Sequence, residues 1–241
     1  MSIKMVLFDL DGTLLPMDMD EFTSGYFRLL AKKAAPYGYE AQSLVKAVWH
    51  GTAAMVKNDG SCTNEAAFWK DFAAVYGEDA LKDKVLFDEF YENEFQDAKQ
   101  FSGYNPEAAE TVRWIKAQGF RVALATNPLF PSIATESRIR WTGLSPEEFE
   151  FFTTYENIGW CKPNKDYYRE VIRRTGLRGE ECLMVGNDVI EDMIAAELDM
   201  KVFLLTDCVI NKNGEDISRY PHGSFSDLKE YIRLFCKGRH Q

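Results

Sequence analysis

Asp9 and Asp11 stand two residues apart at the end of an apolar run, in the segment Asp9-Leu10-Asp11-Gly12-Thr13. On an extended segment such residues project the same way, so the two carboxylates repel unless a cation or a proton lies between them. A third carboxylate, Asp188, follows another apolar run in Gly186-Asn187-Asp188, with Glu191 and Asp192 just beyond. Hard oxygen donors of this kind suit Mg²⁺, which keeps several waters and a phosphate oxygen in its octahedral shell. Thr126 and Lys162 supply what carboxylates lack, a hydroxyl donor and a positive charge for phosphate oxygens, and Asn127 stands beside Thr126. Gly12 lets backbone N–H groups come close to the same group. Taken singly, each has a plainer reading. Thr126-Asn127 could cap a helix, Lys162 could be a surface lysine, and Glu191 and Asp192 could be first-turn acids facing a helix dipole.

The elements around these residues give them a common address. Residues 3–8 are apolar with little interruption, as in a strand buried on both faces of a parallel sheet. Over residues 18–100 the pattern turns helical. Apolar residues recur at steps of three, four and seven: Phe22, Tyr26 and Leu29/Leu30; Val45, Trp49 and Val56; Phe68, Phe72 and Val75/Tyr76. Gly38, Gly60 and Gly77 punctuate this stretch, which predicts a bundle of about four helices with Phe22, Tyr26, Trp49, Phe68, Trp69 and Phe72 in its core. Beyond residue 104, Asn105-Pro106 opens a helix that Gly119 closes. Strands are then expected at 120–125, 149–153, 182–185 and 202–205, with helices at 131–141, 166–175, 190–198 and 227–235. Strands separated by helices imply right-handed crossovers and a parallel sheet covered on both faces. The expected fold class is therefore α/β, a Rossmann-like doubly wound core from residues 1–15 and 104–241, with an all-helical domain inserted over 16–103. In such a sheet the ligand site lies beyond the carboxyl ends of the strands, where all the singled-out residues fall.

The ordered set DLDGT, ATN, KP and GNDVIED resembles the haloacid dehalogenase superfamily, in its phosphoglycolate phosphatase-like branch with a helical C1-type cap. The resemblance implies that Asp9 is a nucleophile forming an aspartyl-phosphate, and that Asp11 is the general acid and later the base. It implies that Gly12, Thr126, Asn127 and Lys162 bind the phosphoryl group. It implies Mg²⁺ held by Asp9, Asp11 through its backbone carbonyl, and Asp188, with Asp192 or Glu191 in support. The implied activity is hydrolysis of a small phosphorylated metabolite. A phosphomutase, a dehalogenase and a non-catalytic phosphometabolite-binding protein share the scaffold. Asp11 speaks against dehalogenation, because a departing halide needs no proton. The chain departs from the family pattern at Pro16-Met17, at Asn187, which intervenes in the fourth motif, and at Asp199, where relatives often have Gly.

Composition narrows the partners. The 241 residues carry 28 Lys and Arg against 38 Asp and Glu, a net charge of -10 that repels nucleic acid and anionic membranes. No apolar run approaches ~18 residues, so neither a spanning helix nor a secretory signal is expected. Five cysteines without a CxxC pair fit reduced thiols buried as small apolar residues, and hence a cytoplasmic setting. In the helical insertion, Arg28, His50, Lys57 and Asn58 read more readily as surface residues than as substrate contacts.

Overall fold

The computed structural model describes residues 3–236. The outermost ends of the expected core, residues 1–2 and 237–241, lie outside the described residues. Five parallel strands, β1 (Met5–Phe8), β2 (Arg121–Leu124), β3 (Cys182–Gly186), β4 (Lys201–Leu205) and β5 (His222–Gly223), form one sheet in the order β2-β1-β3-β4-β5. Successive side chains of β1 enter different cores: Val6 and Phe8 face one, Met5 and Leu7 the other. Burial on both faces explains the uninterrupted apolar runs. The first core takes in α5 (Pro106–Ala117), α6 (Ser132–Trp141) and α8 (Phe225–Cys236); the second is covered by α7 (Lys165–Thr175). Connections leave β1 toward β2 on one side and reach β3 on the other, so a crevice opens at the carboxyl ends of these three strands.

Between β1 and α5 lie four α-helices, α1 (Met19–Ala34), α2 (Ala41–Val56), α3 (Asn64–Tyr76) and α4 (Lys84–Glu92), and a 3₁₀ segment over Glu94–Phe101. Asp18, Glu40 and Thr63 cap the first three, each accepting backbone N–H groups of the first turn. The buried face of α2 is Leu44, Ala47, Val48, Gly51 and Met55, one residue round from the expected Val45, Trp49 and Val56. A one-residue change rotates a helical face by about 100°. The reason is Gly51: a Cβ there would stand 2.5 Å from the Phe68 ring, so α2 and α3 approach most closely along that edge. Trp49 is thereby left 51% exposed instead of entering the bundle core. Val56 and Val75 are exposed as well, whereas Phe22, Tyr26, Phe68, Trp69 and Phe72 are buried as expected. Asn64, fully buried at the start of α3, ties the helices to the sheet layer: its amide donates to Pro128 O at 3.3 Å and Cys161 Sγ at 3.2 Å.

Other expectations need correction. Residues 149–153 run beside β2 through backbone bonds such as Leu124 N to Phe151 O, 3.0 Å, but form a single bridge instead of a strand. The segment then turns away as Thr154 N donates to Asn157 Oδ1. Residues 190–198 are a turn followed by a 3₁₀ segment over Met193–Leu198, not an α-helix. Here Asp188 Oδ1 takes the N–H groups of Ile190 and Glu191 and so tightens the first turn. Asp199 ends the segment at φ +61°, a left-handed turn that Asp tolerates better than most residues. The short β5 at the sheet edge was not expected. All five cysteines are unpaired, but only Cys161 and Cys182 are buried as expected; Cys208 and Cys236 are half-buried and Cys62 is exposed. Among the described residues no helix is long and apolar enough to cross a membrane.

Candidate active site

Asp9 directly follows β1, and its N–H continues the ladder by donating to Val185 O at 2.9 Å. The chain then folds tightly around one carbonyl, with the N–H groups of Thr13, Leu14 and Leu15 all directed at Leu10 O. Gly12 makes this turn possible. It has φ +81°, and a Cβ would meet Asn187 Nδ2 at 2.3 Å. Its own N–H donates to Leu15 O, so its part is to shape the loop rather than to offer that N–H to a ligand. Asn187, the departure in the fourth motif, fills the space above Gly12. Its Oδ1 lies 2.9 Å from the Thr13 hydroxyl, and its amide donates to Cys208 O at 2.7 Å.

The Asp9 carboxylate is held from two sides. Lys162 Nζ donates to Oδ1 at 2.9 Å, and the Thr13 hydroxyl lies 3.1 Å from Oδ2. Lys162 is not a surface lysine: it is 2% exposed, and Nζ also donates to Asp192 Oδ1 at 2.6 Å. Burial pushes the Asp9 carboxyl up to about 7 against the pull of Lys162, with Asp192 and Asp11 adding to the rise. For Lys162 burial acts downward, but Asp192 and Asp9 together hold its ammonium well above the usual lysine range. Asp192 accepts on both oxygens, from Lys162 and from Asp188 N at 2.9 Å. It therefore fixes the lysine and the Asp188 loop from behind, the supporting position, instead of presenting a free oxygen. Gly186 leaves room for it, since a Cβ there would fall 2.1 Å from Asp192 Oδ2.

Thr126, buried just beyond β2, lines the same cleft as Asp9, Asp11 and Asp188. Its carbonyl accepts from Thr153 Oγ1 and from Tyr167 OH, 2.9 Å. Asn127 is spent on the protein: Oδ1 accepts Lys162 N at 3.2 Å and Nδ2 donates to Glu191 at 2.9 Å. It stitches the Lys162 loop to the β3 loop. Burial pushes Glu191 up to about 7, with Lys162 opposing.

Three residues that the sequence reading passed over complete the site. Tyr167 and Tyr168, adjacent on α7, reach different loops, their hydroxyls donating to Thr126 O and Glu191 O. Arg138 on α6 is 1% exposed, stacks over Phe130 at 4.3 Å and forms an ion pair with Asp11 Oδ2. The other oxygen, Asp11 Oδ1, is buried without a hydrogen-bond partner. The sequence around Arg138, Glu136-Ser137-Arg138-Ile139-Arg140, is mostly polar and carries no motif that would single it out. Of the surface candidates in the helical insertion, His50 pairs with Asp71, and Arg28 lies over Phe101. Lys57 is exposed and Asn58 bonds to Cys62 O and Asn64. None of the four lines the cleft.

Among the described residues the cleft, about 510 Å³, is lined by six carboxylates, among them Asp9, Asp11, Asp188 and Asp192, against one lysine, Lys212. No three or more His, Cys, Asp or Glu side chains among the described residues form a ready cage for a metal. Mg²⁺ needs none, because one or two carboxylates, waters and a phosphate oxygen satisfy it. The excess of hard anionic oxygen at the strand ends, with an Asp11 oxygen lacking a donor, fits that ion.

A parallel sheet covered on both faces, with an acidic site at its switch point, defines a doubly wound α/β protein with a carboxylate-centred site. The family model for haloacid dehalogenase-like hydrolases matches residues 3–198, and the chain belongs to that family. It is 28% identical over 135 residues to a glyceraldehyde 3-phosphate phosphatase of Methanothermobacter thermautotrophicus, covering 53% of this chain and 58% of that one. It is 29% identical over 145 residues to a phosphoglycolate phosphatase of Pseudomonas fluorescens, covering 57% and 49%. The chain thus spans about half the length of these relatives. Among solved structures, a 2-haloacid dehalogenase from Pseudomonas syringae pv. Tomato superposes over 97% of this chain and 99% of its own, with a TM-score of 0.63 at 21% identity. A phosphatase from Thermococcus onnurineus does so over 95% and 98%, with a TM-score of 0.58 at 19% identity. These two likenesses concern the fold.

Proposed function

We propose that the chain is a Mg²⁺-dependent phosphatase that hydrolyses a small phosphate monoester through an aspartyl-phosphate on Asp9, with residues 16–103 acting as a cap over the site. The observation that carries this reading is the Asp9 carboxylate at the end of β1, held by Lys162 and Thr13 and facing the cleft. Asp9, the Asp11 carbonyl and Asp188 would hold the ion, which supplies charge screening between a carboxylate and an anionic phosphate. Asp192 supports from behind.

In the first half-reaction an Asp9 oxygen attacks phosphorus, the bond to the ester oxygen breaks, and Asp11 gives that oxygen its proton. Thr126 and Lys162 receive the phosphoryl oxygens. In the second half-reaction Asp11, now a carboxylate, takes a proton from water as the water oxygen attacks phosphorus and the bond to Asp9 breaks. Arg138 orients Asp11 in this carboxylate form. The reading also places the chain in the cytoplasm, in keeping with its unpaired cysteines.

The test is phosphate release from a panel of phosphate esters with Mg²⁺ and with chelator, using Asp9→Asn as the blank. Metal-dependent release lost in the variant is the expected result. Release that persists in Asp9→Asn overturns the covalent step, and halide release from a 2-chloro acid without phosphate release overturns the reaction class.

A further inference from the structure

An apolar chamber of about 110 Å³ lies within the helical layer beside the catalytic cleft. Met19, Thr23, Phe27, Trp49, Leu129 and Phe130 line both spaces, so the chamber shares its wall with the site where Asp9 acts. Among the described residues its wall carries no Asp, Glu, Lys, Arg or His. The Tyr26 and Tyr91 hydroxyls satisfy each other at 2.9 Å, and burial pushes Tyr26 up to about 12 and Tyr91 well above its usual range, so both stay neutral. At the mouth, Met19 and Trp49 are 40% and 51% exposed, an apolar surface that a ligand would cover.

Resting on the phosphatase reading, we propose that this chamber takes the alcohol part of the substrate, which is an uncharged aromatic or branched apolar group. The site is therefore built for a monophosphate of such an alcohol and not for phosphoglycolate or glyceraldehyde 3-phosphate. A carboxylate entering the chamber would lose its water and find no counter-charge, and the cleft beside it is already rich in acids. At about 110 Å³ the chamber is smaller than the roughly 150 Å³ apolar cavity that accommodates benzene, so one ring is the largest group it takes. Edge-to-face partners for one ring are at hand, with Tyr26 and Phe130 themselves packed that way at 5.5 Å.

The experiment compares kcat/KM of the wild-type protein with Mg²⁺ on benzyl phosphate, ethyl phosphate, phosphoglycolate and glyceraldehyde 3-phosphate. Burying one ring should favour benzyl over ethyl phosphate by roughly ten- to hundredfold, with phosphoglycolate the poorest. Thr52→Trp, which fills the chamber from α2, should collapse the benzyl-to-ethyl ratio toward one. Benzyl alcohol should inhibit wild-type turnover competitively while glycolate does not, a measurement that holds even if the variant fails to fold. Equal rates on all esters, or a preference for phosphoglycolate, overturns this inference with the phosphatase reading intact. Absence of phosphate release from every ester overturns the phosphatase reading instead. Calorimetric titration with benzyl alcohol then decides the chamber, binding supporting an apolar ligand and no binding removing it.

Discussion

The charge imbalance of the site makes the stability of the metal-free protein depend on pH in a defined direction. Asp9 has an ordinary value of 3.8 and is pushed to about 7, so the folded protein keeps a proton there that the unfolded chain has released. Between about pH 4 and 7 the unfolded state therefore binds fewer protons, and stability falls as pH rises through that window. A tenfold change in proton affinity is worth about 1.4 kcal/mol, so Asp9 alone accounts for roughly 4 kcal/mol. Its side chain is only 10% exposed, which leaves little solvent screening. Glu191, raised from 4.5 to about 7, acts in the same direction. Lys162 is raised, so its contribution is complete below the ordinary lysine value and is lost only in strong alkali. Glu170 and Glu181 are lowered to about 2, by hydrogen bonds from Arg173 and Lys4 respectively, so their contributions are complete above about 4.5 and fade only in acid. The assay is urea unfolding in chelator at pH 5 and pH 8. From pH 5 to pH 8 only about two units of the Asp9 shift remain to be crossed, so Asp9 should make the wild-type protein less stable at pH 8 by about 3 kcal/mol, and Glu191 should add a similar amount. Asp9→Asn should remove about half of that slope and be the more stable protein at pH 8. Added Mg²⁺ should restore wild type at pH 8 and do far less for the variant. An unchanged slope in Asp9→Asn, or wild-type stability that rises from pH 5 to 8, refutes the reasoning.

Asp11→Asn should slow hydrolysis of alkyl esters by roughly 10²–10⁴ but that of p-nitrophenyl phosphate far less, since nitrophenolate departs without a proton; equal losses on both would remove Asp11 as the acid. Arg138→Met strips the charge facing a largely buried carboxylate and should cost roughly 3–5 kcal/mol in urea unfolding, a value near zero showing the pair to be incidental. Lys162→Met should weaken inorganic phosphate, measured as a product inhibitor, by roughly ten- to hundredfold through loss of one charge-assisted hydrogen bond. Undiminished inhibition would place phosphate away from Lys162.

The covalent order of residues singled out most of the candidate site. Asp9, Asp11, Thr126 and Asp188 each lie just past a strand end, and strand ends are legible because a strand buried on both faces must be an unbroken apolar run. The doubly wound core and helical insertion followed from the same change of period, from β1 to the helices and back at α5. Errors fell where local pattern leaves a choice. The face of α2 turned on one close contact, Gly51 against Phe68, a meeting of two helices that no single-helix pattern records. Residues 190–198 lost their α-helix to Asp188, whose side chain took the N–H groups of the first turn.

Tertiary packing alone assigned the partners. Lys162 and Arg138 look like ordinary surface cations along the chain, yet both are buried against carboxylates contributed by other elements, Asp9 and Asp192 for one, Asp11 for the other. Gly12 and Asn187 lie 175 residues apart and fit only because the first has no Cβ. The apolar chamber is likewise a product of assembly, walled by α1, α2, α3, α4 and the loop after β2. Sequence spacing speaks for neighbours within one element, where a fixed period relates them. Burial, charge pairing and cavity shape are set by which elements come to lie against one another, and no period links those.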